Sequence, residues 1–154
     1  MAYMALTDAL NAARDDVLRE ASGSLRRGHL AHYEASGSEA SRRRLSDLFD
    51  LVVECLAKRA LDPITEYANH VAEERFDAGF GIAEVQTAFN VLEEAIWHVV
   101  IARLPAEEIL ESAGLIGTVL GTGKDTLART WVALATSQHV VSLDLSALFE
   151  GRAN

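Results

Sequence analysis

Apolar residues recur along this chain at intervals of three and four, the spacing that gathers them on one face of an α-helix. The clearest stretch is Leu45, Leu48, Phe49, Val52, Val53 and Leu56, confined to an arc of roughly 140° at 100° per residue. Asp62 and Pro63 then supply an N-cap and a first-turn proline, and Ile64, Tyr67, Ala68, Val71 and Ala72 mark the inward side of the next helix. Gly79 and Gly81 end it. From Ile82 the pattern resumes through Val85, Phe89, Leu92, Ile96, Val100 and Leu104 until Pro105 stops it, a helix of roughly 22 residues.

The flanks are less regular. Leu6, Leu10, Val17 and Leu18 follow Thr7 at helical spacing, with an interruption at Gly23, and predict one or two N-terminal helices reaching toward Gly28 and Tyr33. Ser36, Gly37 and Ser38 break the chain, and Ser36 with Glu39 three residues on has the form of a capping box. After Pro105, Ile109, Leu110, Ile116, Val119 and Leu120 mark a helix, and Gly121 to Gly123 predict its end. Leu127, Trp131, Leu134, Val141 and Leu145 predict a last long helix with a frayed tail. No strand pattern or internal repeat stands out, so the expectation is an all-α chain of six to eight helices.

Composition sharpens this. The 154 residues, 49% of them hydrophobic, fit one domain with a core large enough to stand without disulfides or metal staples. A formal charge of −9 argues against a nucleic-acid module, which needs a basic stripe. Arg42, Arg43 and Arg44 are the densest cationic spot and read as a solvated face or a partner contact. No apolar run reaches the ~20 residues of a membrane span, and Met1 to Leu10 lacks the basic start and long apolar centre of a secretory signal, so a cytoplasmic protein without membrane attachment is expected. Cys55 stands alone, which fits a reducing compartment and an inert packed thiol.

Candidate chemistry is sparse. Gly121 to Asp125 reads GTGKD, yet Thr118 and Asp125 occupy positions where a phosphate loop needs glycine and Ser/Thr, so a helix-to-helix turn is expected. A di-iron bundle needs Glu-x-x-His, and neither His70 nor His98 has a glutamate three residues earlier. His29 and His32 are spaced to share a metal but lack a third ligand. For a haem iron His70 or His98 would serve, but both lie well off the apolar faces of their helices. No glycine-flanked serine elbow appears. No catalytic residue, metal or cofactor is therefore assigned.

Two charges fall on inward faces instead: Arg75, within about 40° of Ile64 and Val71, and Glu93, between Phe89, Trp97 and Val100. Because an unpaired buried charge is costly, a structural polar pair of Arg75 with Glu93, joined by Gln86 or Asn90, is the expectation, with snorkelling at the core edge as the alternative. Ala113, Gly117 and Gly121 repeat every fourth residue and suggest close helix packing within the core, or a contact between two copies.

Three segments, SGSEASRRRLSDLF (36–49), AEERFDAGF (72–80) and EVQTAFNVLEEAIW (84–97), resemble the N-terminal sensor domain of RsbRD-type RsbT co-antagonists, a module of bacterial stressosomes. The resemblance spans about residues 20 to 135 and rests on helix starts and faces. It implies a globin-like helical domain without haem, dimeric and placed ahead of an output domain. The chain ends where such an output domain would begin, and the family's phosphorylated output residues have no counterpart in it. The functional expectation is a non-enzymatic sensor or regulatory domain working through homodimerisation or a regulatory protein partner, with room for a small ligand in the helical core. A haem- or small-molecule-binding globin-like carrier or gas sensor is the alternative. Leu10, Val17, Trp131 and Leu134, on the first and last helices, are the expected dimer surface.

Overall fold

A computed structural model describes the backbone of residues 2–142 and the side chains of residues 5–137. Among them are seven α-helices and no strand: α1 (Ala2–Ala12), α2 (Arg14–Arg27), α3 (Ala31–Ser36), α4 (Ser38–Lys58), α5 (Asp62–Asp77), α6 (Ile82–Arg103) and α7 (Ala106–Ser142). The number falls within the expected six to eight, but the division differs at both ends. The N-terminal region holds three helices rather than one or two, jointed at Ala13 and continuous through Gly23. The C-terminal region holds one helix of 37 residues where two were expected.

The missing break is the GTGKD segment, which is helical throughout. Glycine lowers helix stability by roughly 1 kcal/mol per position, yet at Gly123 it answers a need for space. A Cβ there would stand 2.9 Å from both Ile64 Cγ1 and Phe89 Cε1. Gly123 thus lets α7 settle onto α5 and α6. Gly114, Gly117 and Gly121 are different: an added Cβ would meet nothing within 4 Å. The expectation that the Ala113, Gly117 and Gly121 repeat lets another helix approach closely within the core is not met at Gly117 and Gly121, where nothing among the described residues lies within 4 Å of an added Cβ.

Helix starts also shift by a residue or two. Ser36 closes α3, its hydroxyl donating to the His32 carbonyl at 2.8 Å, and α4 starts after Gly37, whose φ of +88° suits glycine. The expected Ser36–Glu39 capping box does not form. Asp62 lies inside α5, with Leu61 at its N-cap and Pro63 in the first turn. Gly79, at φ +83°, turns the chain after α5 as expected, and the Glu84 carboxylate accepts the Gly81 N–H at 2.9 Å to open α6.

One core unites the helices. Leu6, Leu10, Leu18, Leu45, Phe49, Ile64, Phe89, Leu92, Ile96, Ile116, Leu120 and Leu127 are its largest fully buried side chains. Contacts along the helices fix directions: Ile64, Asn69 and Phe76 of α5 meet Gly123, Thr130 and Trp131 of α7, so these two helices run the same way. Glu20 meets His98 and Asp16 meets Arg103, so α2 and α6 run oppositely. Arg14 joins α2 to α4, reaching both carboxylate oxygens of Asp50 at 3.1 Å and covering the Phe49 ring. Val141 and Leu145, expected as marks of the last helix, lie outside the described side chains.

Candidate functional site

Two regions depart from an ordinary core-and-surface division. The first is a polar corner where α3, α4, the end of α5 and the start of α6 meet. Phe80, nearly buried, is its centre. His32 stacks on the Phe80 ring at 4.7 Å between centroids, and Tyr33 meets the same ring edge-on at 5.3 Å. The guanidinium carbons of Arg44 and Arg75 lie 5.6 and 5.5 Å from the Phe80 centroid, and Arg44 also lies 5.7 Å from the Tyr33 ring. Each such cation–ring contact contributes about 0.5–2 kcal/mol. They help offset the cost of bringing two cations into one partly dry corner.

Charge is not balanced there. Arg75, with only 6% of its side chain exposed, contacts the carboxylate of its neighbour Glu74, while its Nε has no hydrogen-bond partner. Arg44 Nη1 is likewise buried and unpartnered. Burial and the nearby Arg75 charge push the Arg44 guanidinium below its ordinary pKa. Burial raises the phenols of Tyr33 and Tyr67, the latter to about 12, against the opposing pull of Arg75. Glu84 completes the corner: it accepts from the His32 backbone N–H at 3.3 Å and meets the His32 ring Nδ1 at 2.7 Å. Burial alone would raise its carboxyl, but the Gly81 N–H and the two His32 contacts outweigh that and hold it below its ordinary value.

The expected inward position of Arg75 is found, but not its expected partner. Glu93 bonds to Lys124 Nζ at 3.0 Å, and Asn90 accepts from the same amine at 3.2 Å. Lys124 reaches Glu93 because the segment Gly121 to Asp125, expected as a turn, is part of α7. The three arginines at the start of α4 also divide: Arg42 and Arg43 are exposed, while Arg44 turns inward. The signal was present, since Arg44 precedes Leu48 and Leu51 by four and seven residues on the same helical stripe. The histidines disperse. His29 meets Glu34 at 2.8 Å, His32 meets Glu84, and His70 and His98 are exposed beside Glu74 and Glu20, off the apolar faces as expected. Cys55 is buried, which raises its thiol pKa.

The second region is the outer side of α7. Leu110 is 85% exposed and Val132 is 63% exposed. Between them Gly114, Gly117 and Gly121 leave a smooth strip open above the backbone. Leu110, which helped to mark the helix in sequence, follows Ile109 by 100° and so leaves the face that Ile109 shares with Ile116. Leu10, Val17 and Trp131, expected at a dimer surface, are 0%, 1% and 9% exposed and belong to the core instead. Phe76 holds Trp131 edge-on at 5.5 Å between centroids. No helix among the described residues is long and apolar enough to cross a membrane, and no group of three or more His, Cys, Asp or Glu among them could hold a metal ion. No known protein family and no curated protein matches the chain.

Proposed function

We propose that this chain is a non-enzymatic, sensor-type regulatory domain that works by associating with a second copy of itself through the outer side of α7. The observation that carries the reading is the open strip from Leu110 to Val132. Each of these residues lies eleven positions from Gly121, about 16 Å along the axis. Two α7 helices laid antiparallel about Gly121 therefore set Leu110 of each copy against Val132 of the other, with glycine facing glycine at the crossing. Small residues at such a centre permit close backbone approach. On one flank of that crossing Glu111 comes beside Arg129 of the other copy, which also pairs with Asp125 of its own chain at 3.0 Å, an opposite-charge match that favours this register. The globin-like character and the stressosome-type sensing role implied by the resemblance belong to this same proposal. Regulation would follow from a signal that favours one of two α7 pairings.

A covalent trap tests the arrangement. In a Cys55→Ala background, Gly121→Cys places one thiol of each copy at the crossing, within the Cα separation of about 4.4–6.8 Å that a disulfide requires. Mild oxidation is expected to link Gly121→Cys chains into covalent dimers far faster than chains carrying Glu94→Cys on exposed α6 surface. Equal rates at the two positions would remove the antiparallel α7 arrangement.

A further inference from the structure

A cleft of about 690 Å³ opens between α2, α3 and the start of α4, within the ~300–1,000 Å³ typical of small-molecule sites. Leu25 and Tyr33 give it an apolar base. Its two long walls carry Arg26 from α2 and Arg42 from α4, exposed guanidiniums for which no ion pair forms among the described residues. Arg19, the third arginine, is engaged by Asp16 at 3.0 Å, and of the two carboxylates at the cleft, Glu34 is engaged by His29. Glu39 alone opposes the two free arginines.

Two further features make the cleft receptive to negative charge. Ser22, on the α2 wall, keeps its hydroxyl oxygen buried without a hydrogen-bond partner. Behind Tyr33 stands the corner in which Arg75, almost wholly buried, and Arg44 each keep a donor nitrogen unpartnered. In a chain of net charge −9, this is a local concentration of cationic groups around an apolar floor.

We infer that the cleft is a binding site for a small organic monoanion with an apolar body, of the medium-chain carboxylate class. The carboxylate bridges Arg26 and Arg42 at the mouth, and the hydrocarbon lies along Leu25 and Tyr33. Neither half of such a ligand suffices alone: the arginines are solvated and gain little from a bare ion, and the apolar floor is short.

Calorimetric titration of the full chain with octanoate, 1-octanol and inorganic phosphate tests this. Octanoate is expected to bind saturably, and 1-octanol and phosphate each about tenfold or more weaker. The Arg26→Gln/Arg42→Gln double variant, changed only at exposed side chains, is expected to lose about tenfold in octanoate affinity, while Arg26→Lys/Arg42→Lys keeps most of it. No saturable octanoate binding overturns the site. Equal binding of octanoate and octanol overturns the anion requirement, equal binding of octanoate and phosphate overturns the apolar requirement, and undiminished binding by the glutamine variant overturns the assignment of the arginines. These readings do not depend on whether α7 pairs two copies.

Discussion

At the scale of single residues, glycines a few positions apart in one helix have opposite roles, and substitution separates them. Gly123→Ala forces a methyl against Ile64 and Phe89 and is expected to destabilise the fold by about 1–3 kcal/mol. Gly117→Ala meets open space and, in dilute solution, is expected to stabilise it by up to about 1 kcal/mol through helix propensity. Urea denaturation of both variants checks the pair of signs. Glu84 gives a second residue-scale test. Its folded-state pKa is held below the ordinary 4.5, so its contribution is present above that value and is lost as pH falls through the depressed folded-state value. Glu84→Gln is therefore expected to be less stable than wild type near neutral pH, with the gap narrowing in acid below about pH 4.5. A gap independent of pH would show that Glu84 acts through packing and not through charge. Arg75 shows what residue arithmetic reads well and where it stops. Helical angle placed its side chain inward, but angle on one helix does not say which neighbour supplies the counter-charge. That depends on how α5, α6 and α7 are arranged in space, and Lys124 took Glu93.

At the scale of elements, the amphipathic stripes of α4, α5 and α6 were legible because each has a wide apolar face against the core and a proline or glycine near an end. The helix ends themselves moved by one or two residues, since Gly37 with positive φ turned the chain where Ser36 had the chemistry of a cap. The expected break within α7 is absent for a physical reason. Glycine weakens a helix and also permits close packing, and the sequence does not distinguish the two uses until the neighbours of Gly123 are known. Proline discriminates between a turn and a continuous helix at this point. Thr122→Pro would be tolerated in a turn, whereas inside α7 it removes a backbone bond and is expected to cost about 3 kcal/mol or more. Thermal unfolding followed by circular dichroism reads that difference.

At the scale of the whole molecule, the division of α7 into an inward and an outward side shapes the account. Its inward side carries Ile116, Leu120, Leu127 and Trp131 into the core, while its outward side leaves Leu110 and Val132 in solvent at the ends of a glycine strip. The candidate site was only partly legible. Arg75 was found, whereas the Arg44–Phe80–Tyr33 corner needed four separate elements to come together; the Gly117–Gly121 repeat was visible in sequence, but its extension to Leu110 and Val132 needed the two expected C-terminal helices to become one. The central claim is that this strip pairs two copies. The most direct measurement is molar mass by light scattering across a concentration series, for wild type and for Leu110→Glu/Val132→Glu, whose exposed positions leave the core intact. Wild type is expected to approach twice the 16.7 kDa chain mass as concentration rises, and the double variant to stay at the chain mass. A wild type that remains monomeric, or a variant that dimerises equally well, would contradict the account.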